Sequence, residues 1–264
     1  MAIIRTVENG RLVYYRERAD NPEFWTTHWA DVDVRGSLEA ARNGYLGDYS
    51  RVFLNHLPTD KPILEAGCGY GRYVLALLVH GYQVQGVEFS VETVESARQI
   101  APEMDIRVGD ILELDHPENH FGAYISLGVV EHFRDGPQKP ILEAYRVLQP
   151  GGVLICSVPY FNPYRQWKSR RHYLGDPVCE DEFYQFAFAE VEFRTILEAH
   201  GFSTEATYFH GLAKGLKDEF AWIEKLQKLH PLLAKCLWHF GRIPWLLPRR
   251  MAHMITIVAK KPAS

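Results

Sequence analysis

Ile63-Leu64-Glu65-Ala66-Gly67-Cys68-Gly69-Tyr70-Gly71-Arg72 is the stretch on which the fold turns. Ile63 to Ala66 reads as a short buried strand, the three alternate glycines as a tight turn, and Arg72 onward as a helix. Glycine lets the backbone bend sharply and approach a ligand with no Cβ in the way. A dinucleotide-binding turn has the spacing G-x-G-x-x-G and would need glycine at 72, where this chain has Arg. The spacing here is G-x-G-x-G. The turn alone could also do no more than pack a helix on a strand.

Outward from this turn the chain alternates strands and helices. Strands are expected near 62–66, 83–88, 105–108, 122–127, 152–158, 204–209 and 254–260. Helices are expected from Arg72 to His80, from a Ser90 cap to about Ile100, from Ile141 to Leu148, and from Val191 to His200, with Gly81 and Gly201 ending two of them. Such alternation predicts a mostly parallel sheet covered on both faces. Upstream, Asn9-Gly10 supplies the two positive-φ residues of a hairpin turn between Ile3–Val7 and Leu12–Tyr15. Residues 24 to 57 are aromatic-rich, with helical spacing of Tyr45, Tyr49, Val52 and Phe53. Two stretches exceed a minimal sheet, 160–188 and 211–253, and both fall where a lid would be. The expected division is a hairpin and helical cap over 1–59 and one domain over 60–264 carrying these two insertions.

Carboxylates follow the second and third expected strands. Glu88, in Val87-Glu88-Phe89-Ser90, lies seventeen residues beyond Gly71, where an acid can accept hydrogen bonds from both hydroxyls of a ribose. Asp110 follows in Val108-Gly109-Asp110-Ile111. Either acid could instead be solvated or hold a turn.

The fourth strand and its sequel read Ala123-Tyr124-Ile125-Ser126-Leu127-Gly128-Val129-Val130-Glu131-His132-Phe133, and the fifth Leu148-Gln149-Pro150-Gly151-Gly152-Val153-Leu154-Ile155. Taken in order with the glycine turn, these blocks resemble class I S-adenosylmethionine-dependent methyltransferases, in the type 11 group that includes ubiquinone-biosynthesis enzymes. The likeness covers about 60–160, with Phe193–Phe202 and Met254–Pro262 matching the last helix and strand. It implies a Rossmann-like, seven-stranded, mostly parallel sheet and S-adenosyl-L-methionine as cofactor. It further implies cofactor contacts from Glu65, Gly67, Gly69, Gly71, Glu88, Phe89 and Leu127, with Asp110 on the adenine amino group and Ile111 against the ring. Some relatives bind a divalent metal through Glu-x-x-Glu-His. Gly128 stands where the first Glu belongs, so no metal is expected.

A sulfonium methyl is electrophilic on its own, so the protein has mainly to align an acceptor and exclude water. A neutral hydroxyl acceptor also benefits from a base. His132 is the candidate, because it lies just past the fourth strand, where open α/β sheets place ligands, and imidazole titrates near neutral pH. The plainer alternative is a histidine bonded to backbone or water. Methylation of oxygen is expected ahead of nitrogen, on a small or medium-sized acceptor such as a sugar, glycan or secondary metabolite. Two rivals are a nicotinamide-dependent oxidoreductase, against which Arg72 argues, and a catalytically silent relative that only binds.

The remaining features bound the setting. With 264 residues, 47% hydrophobic and 23% charged, the chain can bury a sizeable core, and a net charge of −4 argues against a nucleic-acid partner. The start shows no basic region followed by a long apolar stretch, no run of 18 apolar residues occurs, and the four cysteines form no Cys-x-x-Cys pair. The expectation is a cytoplasmic protein without a secretory signal, membrane span or disulfide framework. Arg165, Lys168, Arg170 and Arg171 stand against Asp176 alone in 160–176, which reads either as a solvated basic loop or, if it caps the acceptor cleft, as a local excess that would draw an anionic or sugar-like acceptor. Residues 211–253 carry eight Lys or Arg against three acids, with Trp222, Ile223, Leu226 and Leu229 at helical spacing. That face is expected to pack on its own domain, ahead of contact with a membrane surface or a lipid-linked acceptor.

Overall fold

The computed structural model describes residues 4–15, 33–172, 183–220 and 247–263. Their order is β1 (Ile4–Glu8), β2 (Arg11–Tyr15), α1 (Val34–Arg42), a 3-10 turn (Gly47–Tyr49), α2 (Ser50–His56), β3 (Ile63–Ala66), α3 (Arg72–Val79), β4 (Val84–Glu88), α4 (Val91–Ile100) and β5 (Ile106–Val108). Then come β6 (Phe121–Leu127), a 3-10 turn (Val130–His132), α5 (Gln138–Val147), β7 (Leu148–Pro159), α6 (Pro163–His172), β8 (Phe183–Ala187), α7 (Glu190–Ala199), β9 (Ser203–His210), α8 (Leu212–Glu219), α9 (Leu247–Met251) and β10 (Met254–Lys260). The expected helical spacing of Trp222 to Leu229, the aromatics Phe24, Trp25 and Trp29, and Tyr173, Asp176 and Cys179 lie outside the described residues.

Seven strands form one sheet in the order β5-β4-β3-β6-β7-β10-β9. β3 to β7 pair in parallel, while β10 lies antiparallel between β7 and β9. This is the Rossmann-like, mostly parallel architecture the alternation predicts. The carboxyl ends of β3, β4, β5, β6, β7 and β9 therefore share one edge with the start of β10, and ligands of open α/β sheets bind at such an edge.

Side chains alternate across the sheet. Leu64, Tyr124, Leu154 and Cys156 face α5 and α7 through Ile141, Val147, Phe193 and Leu197. Ile63, Ile125, Ile155 and Val258 face α1 to α4 through Leu38, Phe53, Leu75 and Val94. Full burial of one such side chain contributes about 1.5–3 kcal/mol. Ser90 caps α4 as expected, accepting from the Thr93 N–H at 3.2 Å. Helix α5 begins at Gln138, earlier than expected, because Pro140 falls in its first turn, where a missing N–H costs nothing.

The N-terminal hairpin is formed, with Asn9 at φ 51° and Gly10 at φ 81°. Its second strand pairs antiparallel with β8, so residues far apart in the sequence build a separate three-stranded sheet, β1-β2-β8. Val13, Tyr15, Phe183 and Phe186 join this sheet to the core on the α5 side.

One expectation from the basic stretch is corrected. Arg165 is fully buried, with Nε 3.0 Å from Glu219 and a second nitrogen 3.2 Å from Asp218, and Lys168 bonds Glu219 at 2.8 Å. The carboxylates of α8 thus absorb two of the four cations counted toward an anionic acceptor. Among the described residues no helix is long and apolar enough to cross a membrane. Cys68 and Cys156 are buried free thiols.

Candidate functional site

The glycine turn leaves β3 under backbone control. Gly67 and Cys68 both donate to the carbonyl of Val87, at 2.8 and 3.1 Å, and Gly71 donates to that of Cys68 at 2.9 Å. Gly67 (φ 73°) and Gly71 (φ 74°) sit in the left-handed region. A Cβ on Gly67 would come within 2.6 Å of the Val129 side chain, and one on Gly71 would overlap Ile106. Geometry and space therefore both require glycine there.

Glu88 is buried at the end of β4 and turned into this cradle. Its Oε2 accepts from the Gly69 N–H at 2.9 Å and its Oε1 from the Ser90 N–H at 3.1 Å. A carboxylate offers about four acceptor sites, so each oxygen retains one for a ligand. Phe89 follows, 46% exposed, and Val108 is 47% exposed on β5. Ile111 is buried nearby in the sequence, while exposed Asp110 uses Oδ1 to accept from the Leu112 N–H at 2.8 Å, ordering the turn. Leu127, half-buried, ends β6.

Glu65 lies beneath the turn, 4% exposed, with Oε2 meeting no hydrogen-bond partner among the described residues. Burial, with a smaller push from Glu88, raises its carboxyl to about 8, so it holds its proton at neutral pH.

Beyond β6 a second group assembles. His132 donates from Nδ1 to the Tyr184 carbonyl at 2.7 Å, and its Nε2 stands 3.9 Å from Oε1 of Glu131. A carbonyl can only accept, so Nδ1 carries the proton and a neutral ring has its basic lone pair on Nε2. Glu131 is 2% exposed, and burial raises its carboxyl to about 8.

Of the residues expected from the sequence, the fold brings Glu65, Gly67, Gly69, Gly71 and Glu88 into one cradle, with Phe89, Asp110 and Ile111 on the loops beside it. Leu127 and His132 lie at and beyond the end of β6. Glu131, Tyr49, Ser157 and His210, which gather at the same sheet edge, were not among the expected site residues. An acid directly after the apolar pair Val129-Val130 was a partial signal for Glu131. Tyr49 and His210 had none, because they meet only through the topology.

Residues 64–156 match the methyltransferase domain family. They belong to it. This methyltransferase domain covers the stretch from β3 into β7, which holds the glycine cradle, Glu88 and His132. A protein of Mycolicibacterium smegmatis described as a probable S-adenosylmethionine-dependent methyltransferase is 33% identical over 165 residues, 60% of this chain and 59% of that protein. The ubiquinone biosynthesis O-methyltransferase of Alkalilimnicola ehrlichii is 33% identical over 106 residues, 38% of this chain and 42% of its own. These curated relatives are thus matched over less than two thirds of their length. A solved S-adenosylmethionine-dependent methyltransferase from Methanosarcina mazei superimposes with a TM-score of 0.57 over 81% of this chain and 98% of its own, at 18% identity, and shares the fold.

Proposed function

We propose that this chain transfers the methyl group of S-adenosylmethionine to an oxygen of a small or medium-sized acceptor, with His132 as the base. When bound, the cofactor supplies an electrophilic methyl on a sulfonium and leaves as a neutral thioether. The cradle suits it: Gly67 and Gly71 let the backbone approach, Gly69 and Ser90 aim Glu88 at a ribose, and Phe89 and Ile111 offer apolar surface for adenine. Asp110 keeps a carboxylate oxygen for the adenine amino group beyond the one that holds its turn.

Oxygen is favoured by the single observation that Nδ1 of His132 donates to the Tyr184 carbonyl. This bond orients the ring and puts its basic nitrogen at Nε2. As the acceptor O–H breaks and the O–C bond forms, the proton passes to Nε2 and then to water. An amine acceptor needs such a base less, because it attacks through its own lone pair. Alignment of acceptor and methyl carbon contributes on the order of 7–11 kcal/mol, and general base catalysis a further ~10²–10⁴-fold.

Incubation with methyl-labelled S-adenosylmethionine and small-molecule extract of the source cells should yield a labelled O-methyl product. A labelled N-methyl product would overturn the choice of atom. No heat on titration with S-adenosylmethionine or S-adenosylhomocysteine would overturn the whole reading.

A further inference from the structure

Across the ligand-binding edge, strand register sets Leu127 of β6, Ser157 of β7, Thr256 of β10 and Tyr208 of β9 side by side. Paired residues share a sheet face, and His210, two residues beyond Tyr208, belongs to the same face. The row therefore runs from the methyltransferase domain's expected cofactor contact, Leu127, through two hydroxyls to an imidazole.

Tyr49 lies over this row from the 3-10 turn before α2. Its hydroxyl donates to Oγ of Ser157 at 3.1 Å, with Thr256 as a second neighbour, and its ring centroid is 4.7 Å from that of His210. Phe53 stacks on Tyr49 at 5.7 Å, and Tyr73 meets it edge-on at 5.4 Å, so the ring is braced before any ligand arrives. Nε2 of His210 is buried and meets no hydrogen-bond partner among the described residues. Oε2 of Glu131 shares that condition, and the Glu131 carboxyl lies within electrostatic reach of the Tyr49 hydroxyl. A buried polar atom left unpaired costs about 1–3 kcal/mol, so two of them beside one tyrosine point to a ligand that supplies the missing bonds.

We infer that this row is the acceptor subsite, in which Tyr49 and His210 are positioning residues that hold an uncharged, oxygen-bearing ring of the phenol type by ring contact and a hydrogen bond to Nε2 of His210. This rests on the methyl-transfer reading above and adds the class of acceptor. Neither unpaired group carries charge there, since burial pushes His210 down to about 4 and Glu131 up to about 8, while Asp48 lies within electrostatic reach of both His210 and Tyr49. An anionic ring would lose its hydration there and face the Asp48 carboxylate.

The test fractionates source-cell small molecules by anion exchange and offers each fraction to the protein with methyl-labelled cofactor. Labelled product should come from the unretained, uncharged fraction. Product formed solely from the retained anionic fraction would overturn the inference. With the active fraction diluted in series, His210→Phe should raise the apparent acceptor KM at least tenfold, with kcat and S-adenosylhomocysteine affinity within threefold of wild type. His210→Gln, which restores a hydrogen-bonding group, should recover most of the loss. Tyr49→Phe, which removes one hydroxyl and keeps the ring, should raise KM by a smaller factor. An unchanged KM in His210→Phe, or equal loss of cofactor affinity, overturns the assignment. Cofactor binding by wild type with no label from either fraction would fell the methyl-transfer reading, and this one with it.

Discussion

The Tyr184 carbonyl holds Nδ1 of His132 at 2.7 Å, so a strand of the small second sheet sets the tautomer of a histidine 52 positions earlier in the chain. If Nε2 is the base, His132→Ala should lower kcat by ~10²–10⁴ while leaving cofactor affinity unchanged. Labelled methyl transfer and calorimetry on the same preparation separate the two effects. Unchanged turnover would remove His132 from the mechanism.

Glu88 is tied to the cradle through two backbone N–H groups, so its substitution should act on the cofactor rather than on chemistry. A hydrogen bond to a charged group contributes about 1.5–3 kcal/mol, and Glu88→Gln should therefore weaken S-adenosylhomocysteine binding roughly 10- to 150-fold. Titration calorimetry measures this directly. An affinity within twofold of wild type would show that Glu88 only braces the glycine turn.

The glycine cradle and Glu88 were legible because they are local in sequence. Strand, glycine turn, helix and the next strand's acid follow one another within 26 residues from Ile63 to Glu88, and each has its own chemical signature. The strands could be read because buried parallel strands are apolar runs closed by turn residues. What could not be read depends on distant pairing. Nothing in Phe183-Tyr184-Gln185-Phe186 indicates that it pairs with Leu12 to Tyr15, and the charges of Arg165 and Lys168 look free until α8 brings Asp218 and Glu219 to them. The Tyr49–His210 contact is of the same kind.

Glu65 couples stability to pH. Its folded-state carboxyl is raised to about 8 by burial, against an ordinary value of 4.5. Between those values the folded chain binds the extra proton, so rising pH favours unfolding, by up to about 1.4 kcal/mol per pH unit. The penalty is absent below pH 4.5 and complete above about 8. Glu65→Gln has no proton to lose, so its denaturation midpoint should fall less than that of wild type between pH 5 and 8. Parallel pH dependence in the two proteins would show that Glu65 is already ionised in the fold.

Arg165 and Glu219 form an ion pair with both side chains fully buried, and its surroundings decide what each substitution should do. Glu219 also receives Arg5 at 2.9 Å and Lys168 at 2.8 Å, while Arg165 donates to the Tyr160 carbonyl at 3.0 Å. The pair thus ties β1, the residue that follows β7, α6 and α8 together. Glu219→Gln leaves the buried guanidinium with one carboxylate, that of Asp218, and breaking such a pair costs about 3–5 kcal/mol. Arg5 and Lys168 lose less, since both side chains are about one fifth exposed and can turn to water. For a chain of this size the loss corresponds to a Tm lower by roughly 10 °C. The double variant Arg165→Met with Glu219→Leu removes both buried charges at once and should recover much of that loss. Thermal melts of the three proteins test the argument, and a double variant less stable than Glu219→Gln would show that the pair contributes more than the cost of burying it.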